Sequence, residues 1–149
     1  MLPCVVKAMD DSNAEVRTAA VNALRNIDSP EAANILLKGA RDEDEEVRDT
    51  VFYVLSDKDS ATKEAIAKEA ILSQYPDVKS KIVEMLVEIP SHNVMDTLIN
   101  GLKDKEPEFR GEVGSIISFF LGEDFENYDA AKRWWIQNKY KFDNELMEQ

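Results

Sequence analysis

The 149 residues suffice for one sizeable core, and 44% apolar with 32% charged side chains and few glycines or prolines describe a folded, helix-rich chain rather than a disordered one. A formal charge of −12 at pH 7, spread evenly over both halves, repels phosphate backbones and argues against nucleic acid as a partner. No apolar run is long enough for a membrane span.

Along the chain, Met1-Leu2-Pro3-Cys4-Val5-Val6-Lys7 soon meets Asp10 and Asp11 and lacks the cationic lead and long apolar stretch of a signal peptide, so a cytoplasmic location is expected. Cys4 is the only cysteine; it excludes an internal disulfide, fits a reducing compartment and is expected to be a small buried residue. Apolar residues at helical spacing predict a partial helix at 3–9 and helix pairs at 14–27 with 31–40, 45–57 with 61–73, and 76–89 with 92–102. A helix at 107–121 and a last one near 129–139 follow. Ser29, Ser60, Ser91 and Asp129 are the expected N-caps, and Pro30 and Pro107 stand at first helical positions.

The pairs repeat. Asp11-Ser12-Asn13-Ala14-Glu15-Val16-Arg17 returns as Asp42-Glu43-Asp44-Glu45-Glu46-Val47-Arg48 and as Asp104-Lys105-Glu106-Pro107-Glu108-Phe109-Arg110. Arg17 and Arg48 are 31 positions apart, Arg48 and Arg110 are 62 apart, and Pro76-Asp77-Val78-Lys79 fills the intervening place. Leu24, Leu55, Leu86 and Ile117 keep the same step, as do Ala20, Val51, Ile82 and Val113, and Leu36, Ala67 and Leu98. A fixed period of this size marks stacked supersecondary units that bury one continuous core.

A unit of about 31 residues, with Asp before an acidic corner and Val-Arg opening the first helix, resembles the HEAT family, most closely its short phycobilisome-lyase-type form. The resemblance implies an all-α, right-handed α-α superhelix, a HEAT-like solenoid of about four helix pairs. It also implies Asp–Arg ladders that tie neighbouring corners together. The third unit departs from the pattern with Ser73 in the Asp column and Lys79 in the Arg column, so the ladder is expected to be weakest there. After residue 121, Leu121-Gly122-Glu123-Asp124-Phe125-Glu126-Asn127-Tyr128-Asp129 leading to Trp134-Trp135 is similar to an ending of bacterial HEAT-like proteins. Residues 1–121 are therefore expected to form the array and 122–149 a capping segment with one helix.

Catalytic readings find little support. His92 is the single histidine, expected at the surface or in a cap, and iron-binding HEAT enzymes carry paired His-Glu motifs that are missing here. The acids 42–46 read as a solvated corner and helix N-terminus. No glycine pair has phosphate-loop spacing, and no cofactor or metal is expected. The expected function is a non-enzymatic protein–protein interaction scaffold. Its inner helices would present a ridge of Glu31, Asn34 and Lys38, then Thr62, Ala65 and Glu69, then Asn93, Asp96 and Asn100, to a protein or peptide, basic ones favoured. Two alternatives stand beside it: a bilin-lyase-type subunit acting on a chromophore-bearing antenna protein, and a passive segment of a larger scaffold.

At the start, Leu2 to Met9 fall where the second helix of a preceding unit would end. That apolar edge is expected either to continue into further repeats or to be covered by another chain, self-association included. Near the other end, Lys132, Arg133, Lys139 and Lys141 are four cations with no acid among them. One of Trp134 and Trp135 is expected to seal the core with Phe125 or Tyr128. The other is expected to lie partly exposed: either the cations only offset nearby carboxylates of the previous units, or this Trp, with Arg133 and Tyr140, grips a partner or a second copy.

Overall fold

The structure is a computed structural model that describes residues 1–149. It is all-α, with nine helices: α1 (Leu2–Ala8), α2 (Ala14–Asn22), α3 (Pro30–Ala40), α4 (Glu45–Leu55), α5 (Ser60–Ala70), α6 (Pro76–Val87), α7 (His92–Gly101), α8 (Pro107–Leu121) and α9 (Tyr128–Asn138). A 3₁₀ turn at Lys139–Lys141 and an isolated antiparallel bridge between Phe142 and Glu148 complete the chain.

Short polar side chains start the helices. The Oδ1 of Asn13 and Asp44 and the Oγ of Ser29 and Ser91 accept backbone N–H bonds from the first turns they precede. Two expected caps move. Asp59, not Ser60, caps α5 by accepting from the Thr62 N–H at 2.8 Å, and Asn127, not Asp129, caps α9 by accepting from Ala130 at 2.9 Å. In both places the residue expected to cap lies inside the first turn, and an Asp or Asn one or two positions earlier holds the extended backbone that a cap needs.

Helix α2 is shorter than its apolar spacing predicts. From Leu24 to Ile27 the backbone bonds run to the third residue back, as in Leu24 N–H to Val21 and Ile27 N–H to Leu24, both at 3.0 Å. This tighter winding leaves carbonyls facing outward, and a later residue takes them up, as described below.

The chain forms two compact units, residues 1–81 and 82–149. In the first, α2 packs on α4 and α3 on α5, so first helix meets first helix and second meets second, the neighbour-on-neighbour packing of a HEAT-like solenoid. Helix α1 lies on α2 and α3, in the place of a second helix from a preceding pair. In the second unit α7 packs on α8 and on α9, and α9 on the 3₁₀ turn. The periodic columns are the core: Leu24, Leu55, Leu86 and Ile117 are fully buried, as are Leu36, Ala67 and Leu98. Each large aliphatic side chain so buried contributes about 1.5–3 kcal/mol. Cys4 departs from expectation. It is exposed, because α1 turns Val5 and Met9 to the core and Cys4 falls on the outer face of the same helix.

Gly39 sets how closely α3 approaches its neighbours. A Cβ there would lie 2.6 Å from Val51 Cγ2 and 3.2 Å from Val21 Cγ2, both on stiff β-branched side chains in the core. Gly39→Ala should therefore destabilise by about 1–3 kcal/mol through overpacking, although alanine is the better helix former. Gly111, inside α8 with nothing within 4 Å of its added Cβ, should respond with the opposite sign and gain up to about 1 kcal/mol as alanine. Urea denaturation of the two variants checks both signs.

Candidate functional site

The repeat corners are locked by arginine. Arg17 and Arg48 are each only 8% exposed. Arg17 Nη1 donates to the Asp11 backbone oxygen at 2.8 Å, while Nε and Nη2 grip the Asp42 carboxylate at 2.8 and 3.0 Å. Such a bidentate pair is strong and directional. Arg48 repeats the arrangement one unit on: Nη1 donates to the oxygens of Asp42 and Glu43, both at 3.0 Å, and Nε to Asp77 at 2.9 Å.

Ser73 occupies the ladder position in that third unit, and Asp77, four residues further on, replaces the missing carboxylate. Tyr75 adds its ring face 3.9 Å from the Arg48 guanidinium. The rung that should be weakest on the Arg48 side is thus rebuilt from neighbouring residues. Lys79, in the arginine column, is buried at 5% exposure.

Burial works to raise the Asp42 carboxyl, but hydrogen bonds from Arg17 and the Asp44 N–H, with the positive field of Arg17 and Arg48, hold it below the ordinary carboxylate range. Because its folded pKa is depressed, Asp42 contributes stability above its unfolded value of about 3.9 and loses it as the pH falls through the folded value. Asp42→Asn should cost about 1.5–3 kcal/mol at neutral pH. The gap to the parent protein should stay constant down to about pH 5 and close below about pH 4. Denaturation midpoints measured across that range test the window.

On the ridge, Asn34 and Lys38 on α3 and Ala65 and Glu69 on α5 are all exposed, and these two helices pack side by side. Lys38 Nζ pairs with Asp10, and the Glu69 backbone oxygen accepts from Arg41 Nη2 at 3.3 Å. On α7, Asn100 is half-buried, and Asp96 is exposed but engaged: its Oδ1 accepts the Trp135 indole N–H at 2.9 Å. The α7 positions are therefore not equivalent to those on α3 and α5, because α9 has claimed Asp96.

In the second unit Trp135 is 1% exposed, edge-on to His92 with centroids 5.3 Å apart and 5.8 Å from the Phe142 ring. The half-buried Trp134 lies 5.5 Å from Phe125 and 6.3 Å from Phe142. So the expected seal forms on Trp135, but with His92 and Phe142 in place of Phe125 or Tyr128. Tyr128 instead carries Lys103 at 4.3 Å and Lys132 at 5.5 Å over its ring. The Lys132 hydrogen bond, helped by Lys103 against some desolvation, holds its phenol below the usual range. Arg133 and Tyr140 are exposed.

Residues 1–56 match the family model for HEAT repeats. That stretch is similar to HEAT repeats. No curated protein matches the chain significantly in sequence. HEAT repeats generally mediate protein–protein interaction and are typically non-enzymatic scaffolds, and no helix of this chain is long and apolar enough to cross a membrane.

Two residues of the helical framework escaped the sequence reading. His92 is neither a cap nor a free surface group: its Nε2 lies 3.1 Å from the Phe142 backbone oxygen, joining the start of α7 to the C-terminal segment. Lys58 is buried at 8% exposure, and its Nζ donates to the backbone oxygens of Leu24, Arg25 and Ile27 and to Asp28 Oδ1. The 31-residue step gives no signal for it, since the matching positions hold Ile27 and Ile89.

Proposed function

We propose that this chain is a non-catalytic scaffold whose exposed α3–α5 face holds a basic protein segment or peptide. The observation that carries this reading is the pairing of exposed, equivalent positions on adjacent helices, Asn34 with Ala65 and Lys38 with Glu69, while the core columns beside them are completely buried. Side chains on that face can change without disturbing the packing, which is what a repeat array needs in order to be tuned to a partner. Glu31 and Glu69 border the face, and the chain carries net charge −12, a field that draws in cationic segments and speeds their encounter.

Selection from an unbiased peptide library against the full chain tests the reading. Enriched peptides should be rich in Lys and Arg, and the double variant Asn34→Arg with Ala65→Arg should bind them at least about tenfold more weakly, a loss of ~1.4 kcal/mol. Both positions are exposed, so the variant's stability should stay within about 0.5 kcal/mol of the parent. Peptides that bind the folded double variant with unchanged affinity would place the site elsewhere.

A further inference from the structure

Within the first unit each repeat extends an arginine to the next, in a contact with two halves. In the giving half, Nη1 of Arg17 bonds the backbone oxygen six residues earlier, which orients Nε and Nη2 along the array. In the receiving half, Asp42 Oδ1 accepts the Asp44 N–H at 2.9 Å, which fixes the carboxylate that the guanidinium then grips.

Two residues have only one half each. Arg110 on α8 bonds the Asp104 backbone oxygen through Nη1 at 2.8 Å, six residues earlier, as Arg17 does, yet no carboxylate of the chain receives its Nε or Nη2. Asp11 Oδ1 accepts the Asn13 N–H at 2.8 Å, as Asp42 does with Asp44, yet no arginine side chain grips its carboxylate. The apolar surroundings show the same incompleteness. Val47 and Val78 are fully buried, whereas Val16 in the same column is 36% exposed. Val16, Cys4, Ala8 and Asp11 line an open depression of about 480 Å³.

We propose that a second copy of this chain completes both contacts: the α1–α2 edge of one molecule docks on the α8 surface of another, with Arg110 gripping Asp11 and Val16 covered at the joint. The occupant follows from the contact itself. Arg110 holds the guanidinium posture that Arg17 uses toward Asp42, and Asp11 holds the carboxylate posture that receives it. The interface is heterologous, so a dimer keeps one free donor and one free acceptor surface, and assembly continues past it. This association uses neither Asn34 nor Ala65 and does not depend on the peptide-binding reading. Two chains of charge −12 repel at low salt, so association should strengthen as salt shortens the Debye length to about 8 Å near 0.15 M.

Sedimentation velocity of the full chain up to near-millimolar concentration gives the test. The parent protein should grow in mass with concentration beyond two copies. Asp11→Lys, which disables the edge, and Arg110→Ala, which disables the α8 surface, should each remain monomeric with helical circular dichroism unchanged. Mixed together they should form a one-to-one heterodimer and nothing larger, because each variant retains the surface that the other lacks. Val16→Glu replaces Asp11→Lys in the mixture if loss of the Asn13 turn loosens the fold. A parent protein that stays monomeric throughout, or a mixture no heavier than its components, overturns the proposal.

Discussion

Replacing Trp135 with alanine should cost about 3–5 kcal/mol, the range for deleting a large aromatic from a core. At 1% exposure its ring has no water to fall back on, and His92 and Phe142 both rest against it. Its loss should also release the segment that follows. Phe142 is 7% exposed in the native state, and its backbone oxygen accepts from His92, so without the indole the tail loses its main apolar support. Amide exchange should therefore rise from Lys139 to Gln149, where the Gln149 N–H now bonds the Lys141 oxygen at 2.7 Å. Trp134→Ala should cost much less, about 1–2 kcal/mol, because that ring is half-buried, against Phe125 and Phe142. Trp135→Phe separates packing from hydrogen bonding. The Asp96 carboxylate it abandons is exposed and recovers water, so this variant should recover most of the stability lost in Trp135→Ala. Equal losses for Trp134→Ala and Trp135→Ala in urea denaturation would contradict the arrangement.

The difference between these tryptophans shows where the sequence stops being informative. Two adjacent helical residues cannot face the same way, so one buried and one more open was readable from Trp134-Trp135 alone. Which was which depends on His92, 43 positions before Trp135 and outside any repeat column. The repeat architecture was legible for the opposite reason. A 31-residue step samples the same packing environment several times, so Leu24, Leu55, Leu86 and Ile117 report one fact in four places. Substitutions within a column were legible only as departures. Ser73 signalled a missing carboxylate, but that Asp77 would swing in and Tyr75 would stack on Arg48 required knowing where the α5–α6 corner places them. The ridge shows the same limit. Asp96 matches Ala65 and Asn34 by spacing, and only the position of α9 reveals that an indole already occupies it.

Lys58→Met should destabilise the first unit by about 2–4 kcal/mol, an effect that no repeat pattern would assign to a lysine on the turn after α4. The tight winding at the end of α2 leaves the oxygens of Arg25 and Ile27 without backbone partners and that of Leu24 with the Ile27 N–H alone, at the end where the helix carries its negative charge. The Lys58 ammonium satisfies all three at 2.9–3.1 Å and reaches Asp28 at 2.8 Å, so its three N–H donors serve four acceptors. Methionine keeps the apolar stem and removes every donor, which isolates the polar loss from any packing loss. Lys58→Arg should not restore stability, because a planar guanidinium cannot converge its donors on one point as an ammonium does. Salt should leave the loss nearly unchanged, since the side chain is 3% exposed and lies beyond effective screening. The exposed Arg25–Asp57 pair, at 45% and 47%, gives the contrast: its Asp57→Asn variant should cost under about 1 kcal/mol and less still at high salt. Hydrogen exchange should place the Lys58→Met damage at Leu24–Ile27, where the carbonyls lose their partner. A Lys58→Met protein within about 0.5 kcal/mol of the parent would mean that water replaces the ammonium at this corner without cost.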